Sequence, residues 1–329
     1  MAVPVLEVSN LRTSFHTEEG MLCAVDGVSF TVEAGHTLGI VGESGCGKSV
    51  TSLSILKLLP RRTARIEQGS SVKLKGEELT TKSNRAMCDI RGNKIAMIFQ
   101  DSMTSLNPVL TIEKQMVETF LTHQKIKKDE ARRRSVEMLR KVGIPSPELR
   151  IGQYPHQLSG GMRQRVMIAM ALSCSPDLLI ADEPTTALDV TVQAQILELM
   201  QQLKQDFNTA ILLITHDMGI VAGMADHILV MYSGYVMEYA DTKSLFSRPL
   251  HPYTEGLLQS IPRLDQRVEE LHVIQGVVPS LLHLPPYCVF AERCPYAGKI
   301  CFRKRPDLFK AGDAQVRCFR HSAEWDGPV

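Results

Sequence analysis

Residues Gly42 to Ser49 read Gly-Glu-Ser-Gly-Cys-Gly-Lys-Ser and fit the pattern G-x-x-x-x-G-K-[ST]. In this pattern backbone N–H groups curl around phosphate oxygens, while the lysine and the hydroxyl reach the outer phosphates and Mg²⁺. A short apolar run, Thr37 to Val41, comes before the loop, and helical spacing follows it from Ser49 to Leu59. Strand, glycine-rich loop and helix in this order predict an α/β fold that binds a nucleoside triphosphate.

The residues of this phosphate loop have two predicted roles. Lys48 is expected to reach the β and γ phosphates, and Ser49 is expected to hold Mg²⁺. The remaining nucleotide contacts are expected from Gly42, Ser44, Gly45, Cys46, Gly47 and Val50. The alternative is an ordinary glycine-rich turn, which the flanking strand and helix disfavour.

Apolar runs and helical periodicity divide the rest of the chain. Strands are predicted at Val5–Val8, Val28–Val32, Lys94–Phe99, Asp177–Ala181, Ala210–Thr215 and Ile228–Ser233, the last three typical of buried parallel strands. Helical periodicity dominates 101–171, and prolines and histidines multiply from Arg248 onward. We therefore expect a nucleotide-binding core at 1–100 and 172–250, a helical subdomain at 101–171 and a C-terminal extension at 251–329.

Two further motifs indicate phosphate chemistry. The apolar stretch that begins at Leu178 ends in two carboxylates, of which Asp182 suits a water-mediated Mg²⁺ contact and Glu183 suits polarisation of an attacking water. Leu158 to Met162 reads Leu-Ser-Gly-Gly-Met and precedes a predicted helix, so a hydroxyl and backbone N–H groups form a second anion cradle. A single nucleotide cannot easily use both cradles of one chain.

The composition excludes several classes of protein. The chain has 329 residues and a formal net charge of +1, which gives room for a core plus an extension and no general attraction for nucleic acid or acidic lipid. Its longest apolar runs, such as Ala210 to Ile214, are far shorter than the ~20 residues that cross a bilayer. Because the first residues carry no secretory signal pattern, we expect a cytosolic protein with reduced thiols.

The order of these motifs resembles the ATP-binding-cassette (ABC) ATPases. The series consists of the phosphate loop, Gln100, Leu158–Met162, Asp182-Glu183, Ala187-Leu188-Asp189 and His216. The resemblance covers about residues 1–250 and implies a RecA-like P-loop core with an N-terminal antiparallel β subdomain and a helical subdomain. It also implies ATP and Mg²⁺ as ligands. In this family two cassettes stack head to tail, and each ATP lies between the phosphate loop of one subunit and the signature loop of the other.

The resemblance implies a role for each matched residue. Gln100 would sense Mg²⁺, beside Ser49 and Asp182, and couple to a membrane partner. Glu183 would orient the attacking water, and His216 would act as the switch on the γ-phosphate.

A second group of matched residues would act across the dimer or on the base. The signature residues Ser159, Gly160 and Gly161 would contact the ATP of the partner cassette. Asp189 would lie in the loop that communicates between cassettes, and Phe15 would stack on adenine.

Four of the eight cysteines crowd the C-terminal stretch, namely Cys288, Cys294, Cys301 and Cys318. In a reducing compartment a metal site explains them better than disulfides. Structural zinc favours closely spaced cysteine pairs, whereas an iron–sulfur cluster tolerates wide spacing, and Cys294 precedes a proline as in one ferredoxin ligand run. From the residues alone, an iron–sulfur cluster, Zn²⁺ and free thiols all remain open.

The same stretch resembles the peptide-importer branch of the ABC ATPases. The matching segments are His251-Pro-Tyr-Thr254, Gly276-Val-Val-Pro279 and Cys294-Pro-Tyr296, and Met162 at the end of the signature suits that branch although Gln is commoner in the family. The resemblance implies the ATPase of a dipeptide or oligopeptide permease, closest to the ATP-binding component of dipeptide permeases. It also implies, in some members, a [4Fe-4S] cluster on these four cysteines, which we favour over Zn²⁺ and free thiols. It implies a second ATPase subunit, two transmembrane permease subunits, an extracytoplasmic peptide-binding protein and a place on the cytoplasmic face of the inner membrane.

Other functions fit less well. Related motors move nickel or other small solutes, and the motor sequence does not choose among these cargoes. A cassette ATPase that acts on nucleic acid is the next alternative, but the spacing from Lys48 to Ser159 leaves no room for coiled-coil arms, and no nucleic-acid partner is expected. A GTPase is disfavoured because Asn93-Lys94 continues with Ile95-Ala96 and so lacks the guanine-reading Asn-Lys-x-Asp.

Overall fold

The computed structural model describes residues 4–100, 105–186, 188–261 and 273–328. Within these ranges the chain forms two compact units. The first unit consists of the described parts of Met1–Leu6, Val32–His36 and Leu74–Leu213. The second unit consists of Glu7–Thr31, Thr37–Lys73 and the described parts of Ile214–Val329.

The described strands are β1 (Leu6–Thr17), β2 (Gly20–Val32), β3 (Thr37–Val41), β4 (Ala64–Ile66), β5 (Ser71–Leu74), β6 (Glu77–Glu78), β7 (Ile95–Ile98), β8 (Leu178–Asp182), β9 (Ala210–Ile214), β10 (His227–Tyr232), β11 (Tyr235–Asp241), β12 (Phe309–Ala311) and β13 (Ala314–Val316). The described α-helices are α1 (Lys48–Ile55), α2 (Asn84–Cys88), α3 (Ile112–His123), α4 (Lys128–Lys141), α5 (Pro147–Arg150), α6 (Gly160–Leu172), α7 (Val190–Phe207), α8 (Met218–Met224), α9 (Thr242–Ser247) and α10 (Pro252–Gln259).

A mixed sheet in the second unit carries the phosphate loop. Its strands follow the order β12-β13-β11-β10-β3. β3 and β10 are parallel, with Leu38 opposite His227 and Val41 opposite Val230. All five residues of β3 are buried, as its continuous apolar run predicts.

The N-terminal strands are longer than predicted. In the second unit β1 lies between β2 and β5 and also pairs antiparallel with β4, with Phe15 opposite Ala64. The turn between β1 and β2 is closed by Thr17, whose hydroxyl donates to the carbonyl of Gly20 at 2.8 Å. Apolar alternation marked only one end of each strand, because the rest of β1 and β2 mixes exposed positions with buried polar residues such as Thr13 and Ser14.

The first unit contains β8 and β9, two of the three strands predicted to be parallel, and helices of the predicted helical segment. Its strands β9, β8 and β7 are neighbours in that order, and β7 and β8 are parallel. Helices α3, α4 and α6 confirm the predicted helical character of 101–171 over its described part.

One predicted helix is shorter than expected. The segment from Ser49 to Leu59 was expected to be helical, but α1 ends at Ile55. The physical reason is local, because Lys57 has a φ of 51° and a left-handed residue cannot continue an α-helix.

The C-terminal region is built into the second unit rather than trailing from it. Strand β13 pairs antiparallel with β11, with Glu238 opposite Val316. The buried carboxylate of Glu238 accepts hydrogen bonds from the backbone N–H groups of Leu250 and His251, each at 2.9 Å. These bonds fix the start of α10 to the sheet.

Helix α10 begins with residues suited to a helix start. The Nδ1 atom of His251 accepts from the backbone N–H of Tyr253 at 3.0 Å, and Pro252 occupies the first helical position, where its missing N–H costs nothing. Burial lowers the pKa of His251 to about 3, so the imidazole is neutral and Nδ1 can accept. The sequence His-Pro-Tyr therefore has a structural explanation as a helix cap.

Candidate functional site

The phosphate loop leaves the buried end of β3 and enters α1 at Lys48. Lys48 is 6% exposed, and its Nζ donates to the carbonyls of Gly42 at 2.7 Å and Glu43 at 3.0 Å. The backbone N–H groups of the first helical turn have no partner inside the helix, and this is the usual origin of anion binding at such a loop. The loop therefore offers a cationic side chain and oriented backbone donors.

Two of the loop glycines are required by close backbone contacts. A Cβ on Gly42 would lie 2.2 Å from the carbonyl oxygen of Met231, and one on Gly47 would lie 2.4 Å from that of Ala24. Both glycines also have positive φ, 152° at Gly42 and 104° at Gly47. No other residue fits either position without moving the backbone.

The register of two parallel strands brings Gln100 and Glu183 together in the first unit. Ile98 lies opposite Ala181, so the residues two positions further along each strand emerge side by side. The Nε2 atom of Gln100 donates to Oε2 of Glu183 at 2.8 Å. The same oxygen accepts from the hydroxyl of Thr186 at 3.0 Å. Thr186 was missed by the sequence analysis, because a single threonine in a turn carries no distinctive signal.

Glu183 has an unusual backbone conformation. Its φ is 47°, which is uncommon for a residue other than glycine and frequent at functional positions. The following turn is supported by Gln164 of α6, which is 2% exposed and donates from Nε2 to the carbonyl of Pro184 at 2.5 Å. Asp182, the last residue of β8, is 3% exposed. The two adjacent carboxylates therefore differ, with Asp182 buried and Glu183 turned towards a polar neighbourhood.

The signature residues lie at the start of a helix, as predicted. Helix α6 begins at Gly160, inside the segment that was expected to precede it, and Ser159 is its N-cap. The hydroxyl of Ser159 accepts from the backbone N–H of Met162 at 3.3 Å. Ser159 is exposed, and Gly160 and Gly161 form the first helical turn. This end of α6 can present backbone N–H groups to an anion.

The other predicted site residues lie at the ends or on the faces of strands and helices. Asp189 is the N-cap of α7 and accepts from the backbone N–H of Val192 at 2.9 Å. His216 is exposed and follows Thr215, whose N–H donates to the carbonyl of Ile40 near the end of β3. Phe15 is half-buried on β1. Ala187 lies outside the described residues.

The four C-terminal cysteines belong to one small segment of the second unit. The backbone N–H of Cys288 donates to the carbonyl of Cys301 at 3.1 Å. Burial raises the pKa of each of the four thiols, to about 12 at Cys288 and about 11 at Cys294, and nearby cysteines add to the rise at these two. In the part of the chain that the structure describes, no three His, Cys, Asp or Glu side chains lie close enough together to hold a single metal ion.

None of the helices in the described part of the chain has both the length and the apolar character that crossing a bilayer requires.

The fold and its loops are those of an ABC-type ATPase cassette. The family model for ABC transporters matches residues 25–186, and the model for the C-terminal region of oligopeptide/dipeptide transporters matches residues 237–301. The chain belongs to the ABC transporter family, among the ATP-binding proteins of oligopeptide and dipeptide transport.

Individual relatives agree with this assignment. The chain is 54% identical over 322 residues to the oligopeptide transport ATP-binding protein AppD of Bacillus subtilis, covering 97% of this chain and 98% of that protein. It is 53% identical over 316 residues to the dipeptide transport ATP-binding protein DppD of the same organism, covering 96% and 94%. Among solved structures, a dimeric bacterial ABC transporter cassette matches with a TM-score of 0.64 and 26% identity, covering 72% of this chain and 98% of that one.

Proposed function

We propose that this chain is the ATP-hydrolysing motor subunit of a peptide importer. The observation that carries the proposal is the presence, on one chain, of an ABC cassette and of the C-terminal region typical of oligopeptide and dipeptide transporters. Lys48 in its glycine-rich loop supplies the phosphate contact that such a motor needs. ATP and Mg²⁺ are the expected ligands.

Each site residue has a proposed chemical role. Lys48 neutralises the β and γ phosphates, and Ser49 with Asp182 holds Mg²⁺. Glu183 polarises the attacking water, and its carboxylate is oriented by the hydrogen bonds from Gln100 and Thr186. His216 contacts the γ-phosphate.

The proposal extends to the partners that such a subunit needs. Ser159, Gly160 and Gly161 complete the ATP site of a second cassette, as the head-to-tail family arrangement implies, and Asp189 communicates between the two. We propose a related chain rather than a second copy of this one as the second cassette, because the peptide-importer branch that the sequence resembles suggests a heterodimer. Two permease subunits hold it at the cytoplasmic face of the inner membrane, and an extracytoplasmic binding protein delivers the peptide.

The test is reconstitution of the assembled transporter in vesicles with ATP inside. We expect uptake of a labelled dipeptide, with Lys48→Ala weakening ATP binding to this chain at least about tenfold because a charge-assisted phosphate contact is lost. Lys243→Ala, at an exposed position of α9 in the same unit, is the control and should have no effect. Uptake of Ni²⁺ but not of peptide would show that this chain is the motor of a metal importer. Co-purification with DNA in place of permease subunits would reject a transport function.

We further propose that Cys288, Cys294, Cys301 and Cys318 hold a [4Fe-4S] cluster with a structural role. Four thiols and few competing ligands in one segment suit iron–sulfur chemistry, and thiolates are its usual ligands. The wide sequence spacing of the four cysteines favours a cluster over structural zinc, which is usually held by closely spaced cysteine pairs. When bound, the cluster would supply positive charge that partly offsets the charge of the four thiolates, of which only that of Cys294 is not buried.

The cluster makes a specific analytical prediction. Protein purified without oxygen should contain iron and acid-labile sulfide, about four of each per chain, and Cys301→Ser should lose them because one of the four ligands is gone. Cys88→Ser, at an exposed cysteine on α2, is the control. One zinc per chain with no sulfide would assign the site to zinc. If the protein contains neither iron nor zinc, the four residues are free thiols.

A further inference from the structure

The phosphate loop contains a carboxylate, Glu43, whose negative charge opposes the binding of ATP. Glu43 is the second residue of the loop, directly after Gly42, and its side chain is 27% exposed. A negative charge at this position repels a triphosphate at close range, since screening by water is weak at a partly buried site. The structure supplies a counter-charge from a distant part of the chain.

That counter-charge is Arg293, 250 residues further along the sequence. Its Nη1 donates to Oε2 of Glu43 at 2.8 Å and its Nη2 donates to Oε1 at 3.0 Å, which is a bidentate pair. The Arg293 side chain is only 6% exposed. The pKa of Arg293 is raised, because burial opposes its charge less than the hydrogen bonds with Glu43 and Tyr232 favour it.

Every N–H donor of Arg293 has an acceptor. Besides the two bonds to Glu43, Nε donates to the carbonyl of Gln275 at 3.0 Å, Nη1 to the hydroxyl of Tyr232 at 3.2 Å and Nη2 to the carbonyl of Ile274 at 3.1 Å. Five donors in a planar fork are specific to arginine, and a lysine at this position could not make these contacts. The guanidinium is therefore held in one place before any nucleotide binds.

The backbone of Glu43 is held from the same C-terminal region. Its N–H donates to the hydroxyl oxygen of Tyr253 at 2.9 Å, and Tyr253 is fully buried in α10. Tyr253 packs against Tyr232 and Phe290 with ring centroids 4.8 and 5.4 Å away. Because the carbonyl of Glu43 also accepts from Lys48, fixing Glu43 fixes the phosphate-binding lysine as well.

We propose that the C-terminal region positions the phosphate loop for ATP, with Arg293 as the residue that neutralises and orients Glu43 and Tyr253 as its backbone support. The inference rests on the proposed binding of ATP at this loop. It assigns to residues outside the cassette a direct influence on the nucleotide affinity of this chain.

The test measures the ATP dissociation constant of this chain in the assembled transporter. Arg293→Met should raise that constant about tenfold, because Glu43 becomes an uncompensated negative charge beside the triphosphate. Addition of Glu43→Gln to Arg293→Met should restore affinity to within about threefold of wild type, since the repulsive charge is gone. Arg293→Lys keeps the positive charge but not the planar fork, so its ATP dissociation constant should lie between those of wild type and Arg293→Met.

A matched control separates this effect from general loosening of the region. Arg305 also holds backbone of the C-terminal region, through Nη2 to the carbonyl of Pro285 at 2.6 Å, but has no hydrogen bond to the phosphate loop among those the structure describes. Arg305→Met should therefore leave ATP affinity unchanged. The double variant separates charge repulsion from a packing defect, because Glu43→Gln removes the repulsive charge but cannot restore packing that is lost with Arg293.

Three results would each overturn the inference. They are an unchanged ATP affinity in Arg293→Met, an equal loss of affinity in Arg305→Met, and failure of Glu43→Gln to restore the affinity of Arg293→Met. Lys48→Ala in the same assay keeps this result separate from the proposed function. If Lys48→Ala leaves ATP binding intact, nucleotide binding at the loop is wrong, whereas a loss confined to Lys48→Ala rejects only the role of Arg293.

Discussion

Glu183→Gln is expected to leave ATP binding intact and to lower ATP turnover by at least about 10²-fold. Glutamine has nearly the same shape as glutamate and keeps an oxygen that can accept from Gln100 and Thr186, so the position of the side chain is preserved. It lacks the negative charge that draws a proton from the attacking water. ATP should therefore bind and remain unhydrolysed, which keeps the two cassettes closed.

The measurement compares bound nucleotide with phosphate release in the assembled transporter. Glu198→Gln, at an exposed glutamate of α7 in the same unit, removes an equal charge away from the site and should turn over normally. If Glu183→Gln hydrolyses ATP within a few-fold of wild type, another residue is the base.

The neighbourhood of Glu183 could be predicted from the sequence only in part. A continuous apolar run predicts β8 as a buried parallel strand, whereas the sequence predicts β7 only as a strand. The contact between Gln100 and Glu183 was not predicted, because it depends on the parallel register in which Ile98 lies opposite Ala181. The positive φ of Glu183 was not predictable, since it depends on the turn that Gln164 supports from α6.

The hairpin of β10 and β11 was missed although its turn has a recognisable sequence. Ser233 and Gly234 both have positive φ, and Ser-Gly between two apolar runs is a typical hairpin signal. Strand β11 escaped notice because Glu238 interrupts its apolar character. That glutamate is buried for a reason outside its own strand, namely to accept from the N–H groups that precede α10.

The contacts between the C-terminal region and the phosphate loop lie beyond any local pattern. Arg293 and Glu43 are far apart in sequence, and neither belongs to a periodic segment that would predict their pairing. Long-range pairing of this kind depends on how the sheet carries β11 and β13, which short apolar runs do not reveal. The sequence indicated the cassette motifs and the cysteine segment, but not the link between them.

Ser159→Arg is expected to reduce turnover of the assembled transporter by about 10²-fold while changing the affinity of this chain for its own ATP by less than about threefold. The reason is geometric. Ser159 and the first turn of α6 form an anion cradle separate in sequence from the loop that holds Lys48, and one nucleotide cannot easily use both cradles of one chain. The arginine would therefore obstruct the site that this chain completes on the partner cassette.

Loss of the helix cap is a competing explanation, and the chain offers a matched control for it. Ser83 caps α2 through the same kind of bond, its hydroxyl accepting from the backbone N–H of Ala86 at 3.2 Å. Replacing either serine removes a cap worth about 1 kcal/mol, so a stability effect should appear equally in Ser83→Arg. Labelling of each subunit with a photoreactive ATP analogue then reports occupancy chain by chain. Loss of label on this chain in Ser159→Arg, rather than on its partner, would show that both cradles serve one nucleotide and would reject the two-chain site.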